Sequence, residues 1–118
     1  MRLITWNCNR GAYSKKVPLL DRLVADIAVI QECAKRAVES DRCLWFGDKV
    51  NQGVLVLAGS AYSIRRLPAL DGVPKFVVPV GVRGPGIDFT LLAVWAKGPS
   101  MLAYRKRPPA ATGRYRLQ

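Results

Sequence analysis

Ile4-Thr5-Trp6-Asn7-Cys8-Asn9-Arg10-Gly11 and, further along, Asp26-Ile27-Ala28-Val29-Ile30-Gln31-Glu32 decide how this chain folds. Each is an apolar, strand-favouring run that stops on amide or carboxylate side chains. The unbroken run from Ile27 to Ile30 suits a strand covered on both faces. Between the two runs, Gly11 and Ser14 mark a loop. A helix is expected from near Pro18, because a proline in the first turn of a helix loses no hydrogen bond. Val17, Leu20, Leu23 and Val24 then fall at the three-and-four spacing of one buried stripe. Strand, helix and strand over this distance make a βαβ unit with parallel strands. Parallel neighbours end at the same edge, and open α/β sheets take ligands beyond the carboxyl ends of their strands. Asn7, Asn9, Gln31 and Glu32 are therefore expected at one edge.

The remainder reads as β after a polar stretch of helical character from Cys33 to Arg42. Gly53 to Ala58, Ala61 to Leu67, Lys75 to Val82 and Ile87 to Ala96 are the expected strands, separated by short turns. Gly81-Val82-Arg83-Gly84-Pro85-Gly86 reads as a hairpin turn, since no Gly-Lys-Ser/Thr follows to complete a phosphate cradle. The expected fold class is α/β, a βαβ start followed by mainly antiparallel strands. From Pro99 the character changes. Met101-Leu102-Ala103-Tyr104 is apolar, whereas Arg105 to Gln118 has no periodicity and contains Pro108-Pro109. Residues 1–98 are expected to form the folded unit, and residues 99–118 a basic tail that is disordered or loosely attached.

Composition narrows the function. With 118 residues, 50% of them hydrophobic, the chain is one domain or a piece of one, with enough apolar surface for a core. No apolar run approaches the ~18 residues of a membrane span, and the N-terminal run is too short for a signal peptide. Cys8, Cys33 and Cys43 lack metal-type spacing and point to a reducing, cytoplasmic setting. Without histidine, no Ser-His-Asp or Cys-His unit can be built from this chain, and zinc chemistry has almost no basis. The net charge is +11, but residues 99–118 hold five basic residues and no acid, leaving fourteen basic against eight acidic before them. That moderately basic body fits a polyanionic partner such as a phosphodiester, although solvated Lys and Arg account for it equally.

Glu32 is the sharpest residue. A carboxylate directly after an apolar run needs water, a cationic partner or a metal, because an unpaired buried charge is costly. Oxygen donors from Glu32, Asn7 and Asn9 suit a hard cation such as magnesium. Two plainer readings stand beside this one. Glu32 can pair with Lys35 or Arg36, and Asn7 and Asn9 can cap a turn or the following helix.

Taken together, Trp6-Asn7-Cys8-Asn9 and Asp26-Ile27-Ala28-Val29-Ile30-Gln31-Glu32 resemble the opening motifs of the endonuclease/exonuclease/phosphatase superfamily of magnesium-dependent phosphodiesterases. Gln52-Gly53-Val54-Leu55-Val56-Leu57 and Leu91-Leu92-Ala93-Val94-Trp95-Ala96 look like later strands of that family, so the resemblance runs from about Arg2 to Gly98. It implies Glu32 as a metal-binding glutamate, Asn7 as part of the metal and phosphate environment, and Asn9 as a neighbouring contributor. Glu32 and Asn7 would share the catalytic site. The implied cofactor is Mg²⁺ or Mn²⁺, and the implied partner a phosphodiester, with nucleic acid among the candidates. The implied architecture is about one half of a four-layer α/β sandwich, in which this chain supplies roughly the first sheet. The inner face of that sheet would then lie uncovered, inviting self-association or instability.

Relatives also carry a later Gly-Asp-x-Asn, a terminal Ser-Asp-His and a histidine after the strand matched to Leu91 to Ala96. Here Trp95-Ala96-Lys97 stands in that last stretch, and the other two motifs are missing. General acid–base help is worth about 10²–10⁴ in rate, so this chain alone is expected to be inactive. A frameshift or early gene end after Gly98 would account for the pattern. The alternative is a small basic nucleic-acid-binding protein using the tail with Lys15, Lys16, Arg65 and Arg66. A third reading is an interaction module that dimerises through its uncovered sheet.

Overall fold

A computed structural model describes residues 1–9, 13–35 and 39–96 of the chain. Its elements are β1 (Leu3–Asn7), α1 (Tyr13–Leu23), β2 (Ile27–Cys33), β3 (Cys43–Lys49), β4 (Gln52–Ala58), β5 (Ser63–Arg66), β6 (Val77–Gly84) and β7 (Ile87–Val94). β1, α1 and β2 form the βαβ unit, with β1 and β2 parallel. One sheet has the order β1-β2-β4-β3 and the other β5-β6-β7, every pair after the first being antiparallel. The class is mixed α/β and dominated by strands.

The strand sequences explain the layering. Ile27, Val29, Leu44, Val54 and Val56 of the first sheet meet Ile64, Val80, Val82, Ala93 and Trp95 in one buried cluster between the sheets. On the opposite face, Leu20 of α1 packs with Cys8, Ala28, Ile30, Cys33, Trp45 and Leu55. β2 and β4 are thus covered on both sides, which is why their apolar runs are continuous. Each such Ile, Leu or Val stabilises the fold by about 1.5–3 kcal/mol.

This arrangement corrects the expectation of a lone sheet with a bare inner face. After β4, the chain turns at Gly59 to Tyr62, where the Gly59 N–H donates to the Asp26 carbonyl at 2.7 Å and the Tyr62 N–H to the Gly59 carbonyl at 3.0 Å. The turn carries the next three strands over to a second layer, and that layer covers the face. What stays open is the β1 end, where Leu3, in register with Ile27, is 52% exposed.

Other expectations also shift. α1 begins at Tyr13, so Pro18 lies inside it rather than at its start, and costs the helix one hydrogen bond. Leu20 is buried, but Leu23 and Val24 are 46% and 70% exposed, because the helix stops where Val24 turns left-handed at φ 50°. Among the described residues, the stretch from Cys33 to Arg42 holds no helix. Cys33 closes β2, and Ser40 bridges to Cys43. β3 is a strand that the sequence reading did not assign.

The hairpin turn is real but tighter than expected. β6 runs through Gly84, and only Pro85-Gly86 connects it to β7. Gly86 has φ 67°, so proline followed by a left-handed glycine gives a type II turn. No helix among the described residues is long and apolar enough to cross a membrane. The expected basic tail, residues 99–118, lies outside the described residues.

Candidate metal centre at the carboxyl edge

The parallel ladder runs from Leu3 opposite Ile27 to Asn7 opposite Gln31. One step on, the Cys8 N–H donates to the Gln31 carbonyl at 2.8 Å. The carboxyl ends of β1 and β2 therefore stop side by side, as the βαβ topology requires. β2 then breaks register against β4. Ile30 pairs with Leu55 and Cys33 with Gly53, so Gln31 and Glu32 together oppose Val54 in a β-bulge. The extra residue keeps Ile30 and Cys33 on the helix side, both fully buried, and leaves Gln31 and Glu32 to the other face.

Glu32 adopts φ 53°. A left-handed backbone costs a non-glycine residue about 1–2 kcal/mol. The side chain is half-buried, and among the described residues it forms no ion pair. Lys35, one of its expected partners, instead lies over the Trp45 ring at 5.8 Å. Arg36, the other, is outside the described residues.

Asn7 and Asn9 realise the turn-capping reading. Asn7 Oδ1 accepts the Asn9 N–H at 2.8 Å, and Asn9 sits at φ 50°, a conformation asparagine tolerates. An amide oxygen has two lone pairs, so the cap leaves one for a further partner.

Gln31 is the residue whose importance the sequence reading missed. Its Nε2 donates to Thr5 Oγ1 at 2.9 Å and to the Val94 carbonyl at 3.2 Å. One amide thus ties β1, β2 and the end of β7 together. The available signal was parity, since Gln31 continues the Ile27, Val29 face toward the second sheet.

The Glu32 carboxylate and the Asn7 amide oxygen are hard donors in type. No group of three His, Cys, Asp or Glu side chains that could hold a metal occurs among the described residues. One carboxylate with amide support remains. Magnesium keeps several waters and takes only one or two carboxylates, a demand that Glu32 with an amide oxygen meets in donor type. Cys8 and Cys33 are buried beneath the edge.

The arginines offered for nucleic-acid binding have acidic partners within the chain and remain about half exposed. Arg65 lies 3.9 Å from Asp88, which also pairs with Arg83 at 3.2 Å. Arg66 pairs with Glu39, donates to the Trp45 carbonyl at 2.7 Å and lies over the Phe46 ring at 4.3 Å. The Arg66 hydrogen bond holds the Glu39 carboxyl below its ordinary range, helped by the Trp45 N–H and by Lys35. Lys15 is exposed on α1. No family model, curated protein or solved structure matches this chain.

Proposed function

We propose that this chain carries the cation-binding half of a phosphodiesterase-type site of the endonuclease/exonuclease/phosphatase kind. Glu32 supplies the charged ligand to Mg²⁺ or Mn²⁺, Asn7 lends an amide oxygen, and Asn9 holds the turn that presents it. The observation that carries the reading is Glu32, a strained left-handed residue placed beside the last matched pair of a parallel ladder. Such strain persists where the surroundings over-determine it, and it gathers at functional sites.

A bound divalent cation would polarise a phosphoryl oxygen and orient the phosphodiester. The chain's own groups do the rest of the positioning. Gln31 ties the edge to the second sheet, and the bulge places Glu32 next to it at the end of β2. With no histidine, these residues offer no imidazole to take a proton from water, so the proposed activity is binding of cation and phosphodiester without appreciable turnover. The same proposal keeps this chain as about one half of a four-layer α/β sandwich. It is supported by the exposed Leu92 and Val94 on β7, which leave apolar surface for a further layer.

Manganese binding to the full chain, followed by water-proton relaxation, tests the reading. Wild type should bind weakly and Glu32→Gln about tenfold more weakly still, the order seen when an ionic contact is removed. Equal affinity in the two proteins would overturn it. Hydrolysis of a simple aryl phosphodiester that required magnesium and Glu32 would overturn the absence of turnover.

A further inference from the structure

A cleft of about 580 Å³ opens beside the far end of β3, lined by Lys35, Glu39, Phe46, Arg66, Leu70 and Val73 among others. We infer that it binds a nucleotide, with the base stacked on the open face of Arg66 and the phosphate met by Lys35.

The guanidinium is fixed as a flat shelf. Its Nε donates to Glu39 Oε2 at 3.1 Å, its NH2 nitrogen donates to Glu39 Oε1 and to the Trp45 carbonyl at 2.7 Å, and one face lies on Phe46. The side chain nevertheless remains 49% exposed. Glu39 neutralises it, so Arg66 offers the cleft a planar surface more than a charge. Arg planes held in this way are stacking partners for bases.

The same cleft is lined by Leu70 and Val73, which are 44% and 40% exposed. Their apolar surface suits the second side of a ring. Lys75, also in the lining, is paired with Asp48 at 2.6 Å. Lys35 forms no ion pair among the described residues and is the cation left for an anion. A flat ring carrying one phosphate charge matches this set, and a triphosphate or an aliphatic anion does not. The volume falls within the range of small-ligand pockets. Lys35 follows Glu32 by three residues, which sets the cleft close to the carboxyl edge, yet nothing in the inference requires a cation there.

Calorimetric titration of the full chain in EDTA tests it, with adenosine 5′-monophosphate, a short oligothymidylate and ribose 5-phosphate as probes. The base-bearing probes should bind and ribose 5-phosphate should not. Tighter binding of the oligonucleotide assigns the site to a strand, and equal binding to a free nucleotide. Val73→Glu, on an exposed loop, should lower affinity about tenfold with an unchanged melting curve. Arg66→Lys should lower it by a similar factor, because an ammonium gives no stacking plane. No binding of either base-bearing probe, undiminished binding in Val73→Glu, or ribose 5-phosphate binding as tightly as the nucleotide would overturn the inference. The chelator keeps the result independent of the cation reading.

Discussion

Asn7 stands opposite Gln31 as the last matched pair of the β1–β2 ladder, and the two side chains do different work. Asn7 turns back to cap the backbone at Asn9, while Gln31 reaches across to Val94 in the other sheet. One member of the pair ends the strand, and the other anchors the edge. Glu32, immediately after Gln31, inherits a fixed position on a backbone that its own side chain disfavours.

That strain predicts a trade of stability against binding at Glu32. Glycine adopts a left-handed backbone without penalty, although it adds freedom to the unfolded chain. Glu32→Gly should therefore gain about 1 kcal/mol in a urea melt while losing the manganese affinity. Lower stability in Glu32→Gly would mean that the carboxylate anchors the bulge, and would remove strain as the mark of a ligand.

Val24 provides a control for strain without function. It is a β-branched residue at φ 50° and 70% exposed, just past the last residue of α1, where glycine is the usual occupant. Val24→Gly should stabilise by about 1 kcal/mol and leave manganese binding unchanged. Thermal melts and relaxation titrations on the same protein decide both halves.

The βαβ unit was legible because its two apolar runs and their polar ends are written locally, at Trp6 to Asn9 and at Ile27 to Glu32. The bulge was not, because no glycine marks it. Only the register of β4, with Leu55 and Gly53 taking Ile30 and Cys33, reveals the extra residue. β3 was hidden for a related reason. Leu44 and Phe46 face the second sheet while Trp45 packs on the helix side, so the run has neither alternation nor length. The covering of the first sheet depends on the Gly59–Tyr62 turn and on strands far along the chain, which no local pattern announces. Pro18 misled, since it lies exposed inside a helix that local preference would start there.

Trp45 makes two glycines obligatory. A Cβ on Gly53 would meet the indole at 2.4 Å and the Phe46 carbonyl at 2.6 Å, and one on Gly47 would meet the same ring at 2.6 Å. The ring has little room to retreat, because its Nε1–H donates to the Cys33 carbonyl at 3.0 Å in a buried bond. Gly53→Ala should destabilise by about 2–3 kcal/mol, the upper range for overpacking. In a Trp45→Leu background the same change should cost less, leaving the part owed to the carbonyl. A double-mutant cycle measures the difference, and a coupling of zero would show that the indole is not the obstacle.

The Glu39–Arg66 pair gives the fold a dependence on acid. Glu39 is held below its ordinary value near 4.5 by Arg66, so the folded form binds its proton less readily than the unfolded one. Its contribution is therefore complete above the unfolded pKa and is lost as the pH falls through the lower, folded one. With the side chains 37% and 49% exposed, water screens the pair, and its worth is about 0.2–1 kcal/mol. Urea midpoints from pH 7 down to about pH 3 should fall more steeply for wild type than for Glu39→Gln, with the two curves converging at the acid end. Parallel curves would mean that the carboxylate contributes nothing through ionisation. In that case the flat seat of Arg66 depends on the Phe46 ring and the Trp45 carbonyl instead.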